Sequence, residues 1–333
     1  MKVLILKNSL RTLVWAIYAA LAAGILWGLV GLVRMNGPVF FIQAIIDGLR
    51  LGFMYALIAL GYTMVYGIVR LINFAHGDVF MVGAFTSFYA ITRYDWSFVP
   101  AILLAMLVCT VLNVVIERVA YKPLRNAPRI ASLITAIGVS FFLEYFTALS
   151  FVFGPDFITY RRPFPVEVWN VGGVLITNIT VIIVGITLML LLSLQYIIRR
   201  TKIGKAMRAT ALDKSAARLM GINVDGVISF TFALGAALAG AGGVLYAIAF
   251  PQILTFMGIM PGLKAFVAAV LGGIGSIPGA FVGSLLMGTT DVLVVSFMPM
   301  GSRLRDLIAF LILIMVFLIK PTGIFGEPQA EKV

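Results

Sequence analysis

Apolar stretches of membrane-spanning length alternate with short polar and basic segments along nearly the whole chain. A helix rises 1.5 Å per residue and needs about 20 mostly apolar residues to cross a bilayer core of roughly 30 Å. The pattern predicts ten membrane elements, at about residues 12–33, 41–69, 79–92, 98–116, 131–153, 174–198, 227–249, 263–274, 279–298 and 304–320. We therefore expect an all-α, polytopic membrane bundle.

Two of these elements, 79–92 and 263–274, are too short to span the core as straight helices, so we expect some elements to be broken or half-spanning. Each borders a break, INFAHGD in the first half and GGIGSIPG in the second. Paired interruptions of this kind are typical of a transport path, because irregular backbone at membrane depth must be buried in protein or line a wet cavity. The candidate path or break residues are Asn73, His76, Gly77, Asp78, Gly272, Gly273 and Gly275.

Charge patterning sets the predicted orientation. The chain is 62% hydrophobic and 11% charged, which excludes a water-soluble domain. Its net charge of +12 lies in short segments between apolar stretches, above all 117–129 and 199–226, and not on one face as nucleic-acid binding would require. The positive-inside rule and the parity of crossings place both segments, the N-terminus and the tail 329–333 in the cytoplasm. The loop containing Arg161 then lies outside.

The sequence lacks the motifs of several enzyme classes. It contains no G-x-x-x-x-G-K-[ST] motif, so we expect this chain not to hydrolyse ATP itself and to hold no cofactor. Its one histidine, His76, and its one cysteine, Cys109, cannot supply a His or Cys metal cluster or an internal disulfide. We expect Cys109 to be a small buried residue and the protein not to be an enzyme.

Ionisable residues inside the predicted spans are costly in lipid and should face protein or water. We expect Asp47 and Arg50, three residues apart on a helix, to neutralise each other. Glu144 is predicted to be a buried carboxyl that is hydrogen-bonded or protonated, with lining of a path as the alternative. Lys264 is predicted to snorkel to the interface. The small residues Gly235, Ala239 and Gly243 predict close helix packing.

The loop 199–226 mixes apolar and basic residues in a helical pattern, which predicts one or two short amphipathic helices that end at Gly221. Two interpretations are open. The loop is either a surface helix on anionic lipid or a docking element for a cytoplasmic partner.

Five separated motifs together resemble the permeases of bacterial branched-chain amino-acid ABC importers, and the H-type of the two permease subunits most closely. They are GYTMVYGIVRLINFAHGDVFMVGAF, IERVAYKPLR, GKAMRATALDKSAARLMGIN, LKAFVAAVLGGIGSIPGAFVGSLLMG and IKPTGIFG. The resemblance implies a permease domain at 39–328 and an added N-terminal transmembrane segment at 1–38.

The resemblance also implies partners. A second homologous permease would complete the translocation path, two cytoplasmic ATPases would drive it, and a periplasmic protein would deliver a small amino acid at the bacterial inner membrane. It identifies 199–226 as a coupling loop, with Lys205, Arg208, Asp213, Arg218 and Gly221 as the candidate coupling residues. A permease for urea or short-chain amides, an ion-coupled carrier and a non-transporting scaffold are the alternatives.

For INFAHGD, the resemblance implies a helix break beside the path. Asn73, His76 and Asp78 would satisfy backbone groups that the break frees, and Gly77 would allow a sharp turn. We expect His76 to be a neutral hydrogen-bonding group, so that His76→Gln keeps transport and His76→Leu impairs it. Direct substrate contact, a simple loop and a proton relay through Asp78, Glu144 and His76 are the alternatives.

Overall fold

A computed structural model describes residues 37–69, 73–125, 127–298 and 300–326 of the chain. The predicted span 12–33, nearly all of the predicted N-terminal segment 1–38 and the tail 329–333 lie outside these residues. The described chain is 76% helical with almost no sheet, which confirms the predicted fold class. Its helices are α1 Gly37–Val69, α2 His76–Tyr94, α3 Phe98–Ile116, α4 Arg129–Thr147, α5 Asn178–Arg200, α6 Lys202–Leu212, α7 Lys214–Leu219, α8 Val224–Ala249, α9 Ile259–Gly272, α10 Ile277–Phe297 and α11 Gly301–Ile319.

Six helices in the described part of the chain are long and apolar enough to cross a membrane: α1, α3 with its continuation to Leu124, α4, α5, α8 and α10. The prediction that 79–92 is too short was wrong, because α2 begins at His76 and has 19 residues. The predicted short element at 263–274 is confirmed, since α9 has only 14 residues. Helix α1 continues without interruption past Asp47 and Arg50, whose side chains pair at 3.3 Å as predicted.

Close contacts between backbones centre on α8, which packs against α2 and α3. A Cβ added at Gly243 would lie 2.1 Å from Phe80 O, and one at Gly83 would lie 2.6 Å from Gly240 Cα. The neighbouring Ala239 is fully buried. The predicted small-residue packing is therefore confirmed, and it lets α2 and α8 touch through their main chains. Cys109 is buried as predicted, and its thiol donates to Val79 O at 3.2 Å.

Two small antiparallel sheets were not predicted. Strands β2 Val168–Val171 and β3 Val174–Thr177 form a hairpin, while β1 Ile158–Thr159 pairs with β4 Gln252–Ile253. The hairpin turns at Gly172 and Gly173, both of which have positive φ. The hairpin is fixed to α1, because the Gln43 amide exchanges hydrogen bonds of 2.8 and 3.1 Å with the Leu175 main chain. Helix α5 runs from this hairpin end of the bundle to the α6–α7 end.

The predicted break GGIGSIPG is a tight turn between α9 and α10. A Cβ at Gly272 would lie 1.9 Å from Gly279 O, and Gly273 and Gly275 have φ of 111° and 97°. The chain after α11 returns to this turn, where the amides of Ile324 and Phe325 donate to Leu271 O and Gly272 O at 2.9 Å each. Backbone contacts therefore close this break.

Candidate functional site

The break between α1 and α2, residues 70–75, ends in a short turn that begins α2. Asn73 O accepts from the His76 amide at 3.1 Å, and Ala75 O accepts from the amides of Asp78 and Val79 at 3.1 and 3.0 Å. Main-chain carbonyls therefore satisfy the first amides of α2. Whether the side chains of Asn73, His76 and Asp78 satisfy other backbone groups of the break stays a prediction, because residues 70–72 lie outside the described chain.

His76 is 1% exposed, and neither ring nitrogen has a hydrogen-bond partner within the described ranges. Its ring packs edge-on against Tyr62, with centroids 4.8 Å apart. A Cβ at Gly61 would lie 2.2 Å from His76 Nε2, so the ring occupies space that only a glycine on α1 leaves free. These contacts describe a packing contact between α1 and α2, and the hydrogen-bonding role of His76 stays a prediction.

Gly77 also has a role other than the predicted one. It lies within the first turn of α2 and is not a residue of positive φ. A Cβ there would lie 2.6 Å from Gly258 O and 3.3 Å from Gly262 Cα. Glycine is required because the start of α2 touches the start of α9, and not because the chain turns sharply.

Asp78 lies beside two polar side chains of α4. The Ser140 hydroxyl donates to Asp78 Oδ2 at 2.5 Å, and the Glu144 carboxyl interacts with both residues. Ser140 and Glu144 are four residues apart, so they share one face of α4. Asp78 and Glu144 are 2% and 4% exposed, which confirms that Glu144 is buried. Two adjacent carboxyl groups share a hydrogen bond only when one of them carries a proton.

This polar cluster lies in a recess of about 170 Å³ between α1, α2, α4 and α9. Most of its lining is apolar or glycine, and the polar groups are concentrated on one side. Its volume is below the roughly 300–1,000 Å³ of a complete small-molecule site. The lining residues are Tyr62, Phe74, Gly77, Asp78, Ile137, Ser140, Phe141, Glu144, Gly258, Ile259, Gly262 and Leu263.

The structure does not bring all the candidate path residues together. Gly77 and Asp78 line the recess, while Asn73 and His76 are buried beside it, and Gly272, Gly273 and Gly275 form the α9–α10 turn at the other end of α9. Sequence reasoning missed Ser140 and the aromatic wall of Tyr62 and Phe141. The four-residue spacing of Ser140 and Glu144 was a usable indication that a second polar side chain shares the face of α4.

Lys264 anchors α9 by a buried ion network. Its Nζ lies 2.8 Å from both carboxylate oxygens of Asp291 and 2.8 Å from Asp306 Oδ1, and the Tyr55 hydroxyl donates to Asp291 at 3.0 Å. Lys264 is 1% exposed, so the prediction that it snorkels was wrong. The partners are provided by three other helices, α1, α10 and α11, and their proximity was not visible in the sequence.

The loop 199–226 contains the two predicted short helices, α6 and α7. Asp213 caps α7, since its Oδ1 accepts from the amides of Ser215 and Ala216 at 2.9 and 3.1 Å. Gly221 has φ of 81°, and its amide donates to Arg218 O at 3.0 Å, which confirms the predicted helix end. Lys205 and Arg208 are exposed on α6.

Three large apolar side chains project from the same loop. Leu212, Leu219 and Met220 are 81%, 88% and 82% exposed. They lie outside the helices that are long enough to span a membrane. Arg218, next to Leu219, lies 3.7 Å from Asp225 in the first turn of α8.

Comparison with known proteins places this arrangement among transport proteins. Residues 44–317 match the family model described as the permease component of the branched-chain amino acid transport system. The chain is 42% identical over 307 residues to the high-affinity branched-chain amino acid transport system permease protein LivH of Salmonella typhimurium, covering 88% of this chain and 98% of the relative. LivH of Escherichia coli K12 matches at the same identity and coverage, and BraD of Pseudomonas aeruginosa is 41% identical over 303 residues.

Proposed function

The chain belongs to the family of branched-chain amino acid transport system permease components, and we propose that it is the transmembrane subunit of an ATP-driven importer of branched-chain or related small amino acids. A permease component is a multi-pass protein of the inner membrane and not itself an enzyme. The observation that carries the proposal is the recess, which places a polar cluster beside apolar walls among membrane helices.

The chemistry of the recess suits a small aliphatic amino acid. Asp78 and Glu144 offer acceptors for an α-ammonium group, and Phe141, Ile137 and Leu263 offer an apolar surface for the side chain. Buried carboxyls at membrane depth are costly unless they face protein or water along a path. We propose that the recess is half of the translocation path and that a second, homologous permease subunit closes it.

We propose the remaining partners from the family to which the chain belongs. ATP is bound and hydrolysed by two cytoplasmic ATPase subunits, so this chain holds no cofactor. A periplasmic binding protein delivers the substrate at the hairpin end. Both termini and the α6–α7 end are cytoplasmic.

We propose the α6–α7 loop as the ATPase-docking element. Exposed apolar side chains outside the membrane mark an interaction surface. Leu212, Leu219 and Met220 provide that surface, while Lys205, Arg208 and Arg218 add positive charge around it. Asp213 and Gly221 fix the two ends of α7, so the loop presents a defined shape.

The test is uptake by the purified complex in proteoliposomes supplied with binding protein and ATP. Wild-type complex should take up leucine, isoleucine or valine, and Asp78→Asn/Glu144→Gln should lose uptake by tenfold or more if charge pairing with the ammonium contributes about 1.5–3 kcal/mol. Asp47→Asn, which alters a partly buried carboxylate on α1 away from the recess, is the matched control and should retain uptake.

Each alternative function predicts a different result in the same assay. Uptake of urea or acetamide in preference to leucine would assign a neutral substrate. Uptake that needs a pH gradient and not ATP would identify an ion-coupled carrier. Either result would refute the proposal.

Docking and orientation have their own tests. Leu219→Ser should reduce copurification of the ATPase, while Phe157→Ser, which alters another exposed apolar residue at the hairpin end, should not. Cysteine at Lys205 should resist an impermeant thiol reagent on spheroplasts, and cysteine at Arg161 should react; the buried Cys109 can stay in place. The opposite labelling pattern would refute the orientation.

A further inference from the structure

Helix α3 does not end as a regular helix. It continues through a π-helical turn at Glu117–Tyr121 and a 3-10 turn at Lys122–Leu124. Turns of this kind within helices are less stable than α-helix and occur often at functional sites. The side chains at the two ends of the π turn contact different parts of the protein, and these contacts connect the α6–α7 loop with the α1–α2 break.

The first end of the π turn is held by a buried carboxylate. Glu117 is fully buried, and its two oxygens accept from the Arg125 guanidinium and from the Ser229 hydroxyl, the latter at 2.6 Å. Arg125 also donates to Asp225 Oδ1 at 2.5 Å. Because Ser229 and Asp225 both belong to α8, the π turn is joined to the beginning of that helix by charge-assisted bonds, which are the stronger class.

Asp225 connects this cluster to α7. Its carboxylate lies 3.4 Å from Lys122 Nζ and 3.7 Å from the Arg218 guanidinium. The Arg218 and Asp225 side chains are 64% and 44% exposed, so this ion pair is weak and can rearrange at small cost. The Arg125–Glu117 contact is buried and holds its geometry.

The other end of the π turn contacts the α1–α2 break. The Tyr121 hydroxyl donates to Asn73 Oδ1 at 2.7 Å, and both residues are buried. Asn73 O in turn accepts from the His76 amide, which is the first residue of α2. A displacement of Tyr121 is therefore passed to the start of the helix that carries Asp78.

A second contact reaches the opposite side of the same break. Lys214 Nζ, at the start of α7, donates to the carbonyl of Val69, the last described residue of α1, at 3.3 Å. A cation at the C-terminal carbonyls of a helix is favoured by the helix dipole. Side-chain contacts thus lead from α7 to both flanks of residues 70–72.

We propose that Tyr121 and Arg125 are positioning residues that transmit displacement of the α6–α7 loop through the π turn to the α1–α2 break, and so to the Asp78–Glu144 recess. The proposal rests on the proposed function, because it takes the loop as the ATPase-docking element. Beyond that function, it names the side chains through which ATP hydrolysis on a partner chain changes the translocation path.

The test is the number of substrate molecules taken up per ATP hydrolysed, measured on the intact complex in proteoliposomes. Tyr121→Phe removes only the hydroxyl bond to Asn73 and keeps the ring contact with Phe232. It should lower uptake per ATP by roughly three- to tenfold, as the loss of one buried hydrogen bond predicts, while ATPase copurification and hydrolysis persist. Arg125→Gln should have the same effect, and Arg125→Lys should partly restore coupling.

Tyr160→Phe is the matched control. Tyr160 is also buried, and its hydroxyl makes one side-chain bond, 2.9 Å to Ser87, but it lies near the hairpin end of the bundle. This variant should leave uptake per ATP within twofold of wild type. An equal loss in both tyrosine variants would assign Tyr121 a structural role and overturn the proposal.

A double-mutant cycle separates the bond from other effects. Asn73→Ala removes the same bond from the other side, so Tyr121→Phe should add no further loss in that background. Losses of uptake per ATP that add up independently in the double variant would overturn the proposal. A proportional fall of both uptake and ATP hydrolysis per assembled complex would also overturn it, because coupling would then be unchanged. Failure of wild-type complex to couple uptake to ATP would instead refute the proposed function.

Discussion

The two chain breaks, the α1–α2 break at residues 70–75 and the α9–α10 turn at 273–276, have similar patterns in the sequence and different construction. The α9–α10 turn is closed by main chain against main chain, with Gly272 on Gly279 and the segment after α11 on Leu271. The α1–α2 break is contacted by side chains from α3 and α7 and lies next to the recess. The main-chain contacts of the α9–α10 turn resist its displacement, because a backbone cannot change its position by rotating a side chain. The side-chain contacts of the α1–α2 break permit displacement, because side chains can change rotamer. A pair of breaks thus combines one fixed element with one adjustable element.

The largest effect should come from releasing α9 from its anchor. Lys264→Met leaves the buried Asp291 and the partly exposed Asp306 without their shared cation, and removal of one partner from a buried ion pair such as Lys264–Asp291 costs about 3–5 kcal/mol. We expect a marked loss of thermal stability in detergent, measured as recovery of monodisperse protein after heating. Arg50→Met removes the cation of a more exposed pair and is the control. Comparable recovery of both variants would show that α9 is not held by this network.

Tightness of the fixed turn is tested by Gly272→Ala. The new Cβ would meet Gly279 O at 1.9 Å, and neither backbone can yield without separating α9 from α10, so we expect a cost of about 3 kcal/mol. Gly185→Ala, at an open position in α5, should be neutral or slightly stabilising. The measurement is expression in the membrane and midpoint of heat unfolding. Tolerance of alanine at Gly272 would place the turn among the adjustable elements.

The packing of His76 at the α1–α2 break predicts that His76→Leu keeps transport, whereas the sequence predicts that this variant impairs it. His76→Leu removes no hydrogen bond made within the described chain and nearly conserves volume, so it should cost less than about 1.5 kcal/mol. Uptake should remain and should keep the pH profile of the wild type between pH 6 and 8. Loss of uptake in His76→Leu with full retention in His76→Gln would restore the hydrogen-bonding role.

The smallest effect should come from Gly275→Ala, which distinguishes backbone strain from steric overlap in the α9–α10 turn. Gly275 has φ of 97° with open space around it, so Gly275→Ala adds strain without a clash. We expect a loss of about 1 kcal/mol in stability and unchanged uptake per ATP. An effect on coupling without loss of stability would show that this turn moves during transport.

Periodicity was sufficient for the parts of the fold that depend on local sequence. The spans, the two helices of the loop 199–226 and the left-handed end at Gly221 follow from apolar length, amphipathic pattern and glycine chemistry. The start of α2 was missed because His76 and Asp78 are polar, although burial against α1, α4 and α9 makes them part of a helix.

Residues whose roles depend on another helix were the ones assigned wrongly or not at all. Lys264 is buried because Asp291 and Asp306 approach it, and Gly77 is needed because Gly258 touches it. Tyr121 was not selected, since nothing near it in the chain indicates that Asn73 is its partner. Such pairings require tertiary structure, which one sequence does not specify.

The central position of α8 has a consequence for biosynthesis. Helices α2 and α3 leave the ribosome more than a hundred residues before α8, whose glycine face they pack against. At a synthesis rate of about 5–20 residues per second, their contact surface stays uncovered for roughly 5–20 seconds. During that interval the main-chain groove around Phe80 and Gly83 faces lipid or the insertion machinery. Nascent protein halted before α8 should therefore be the species most open to degradation by membrane proteases.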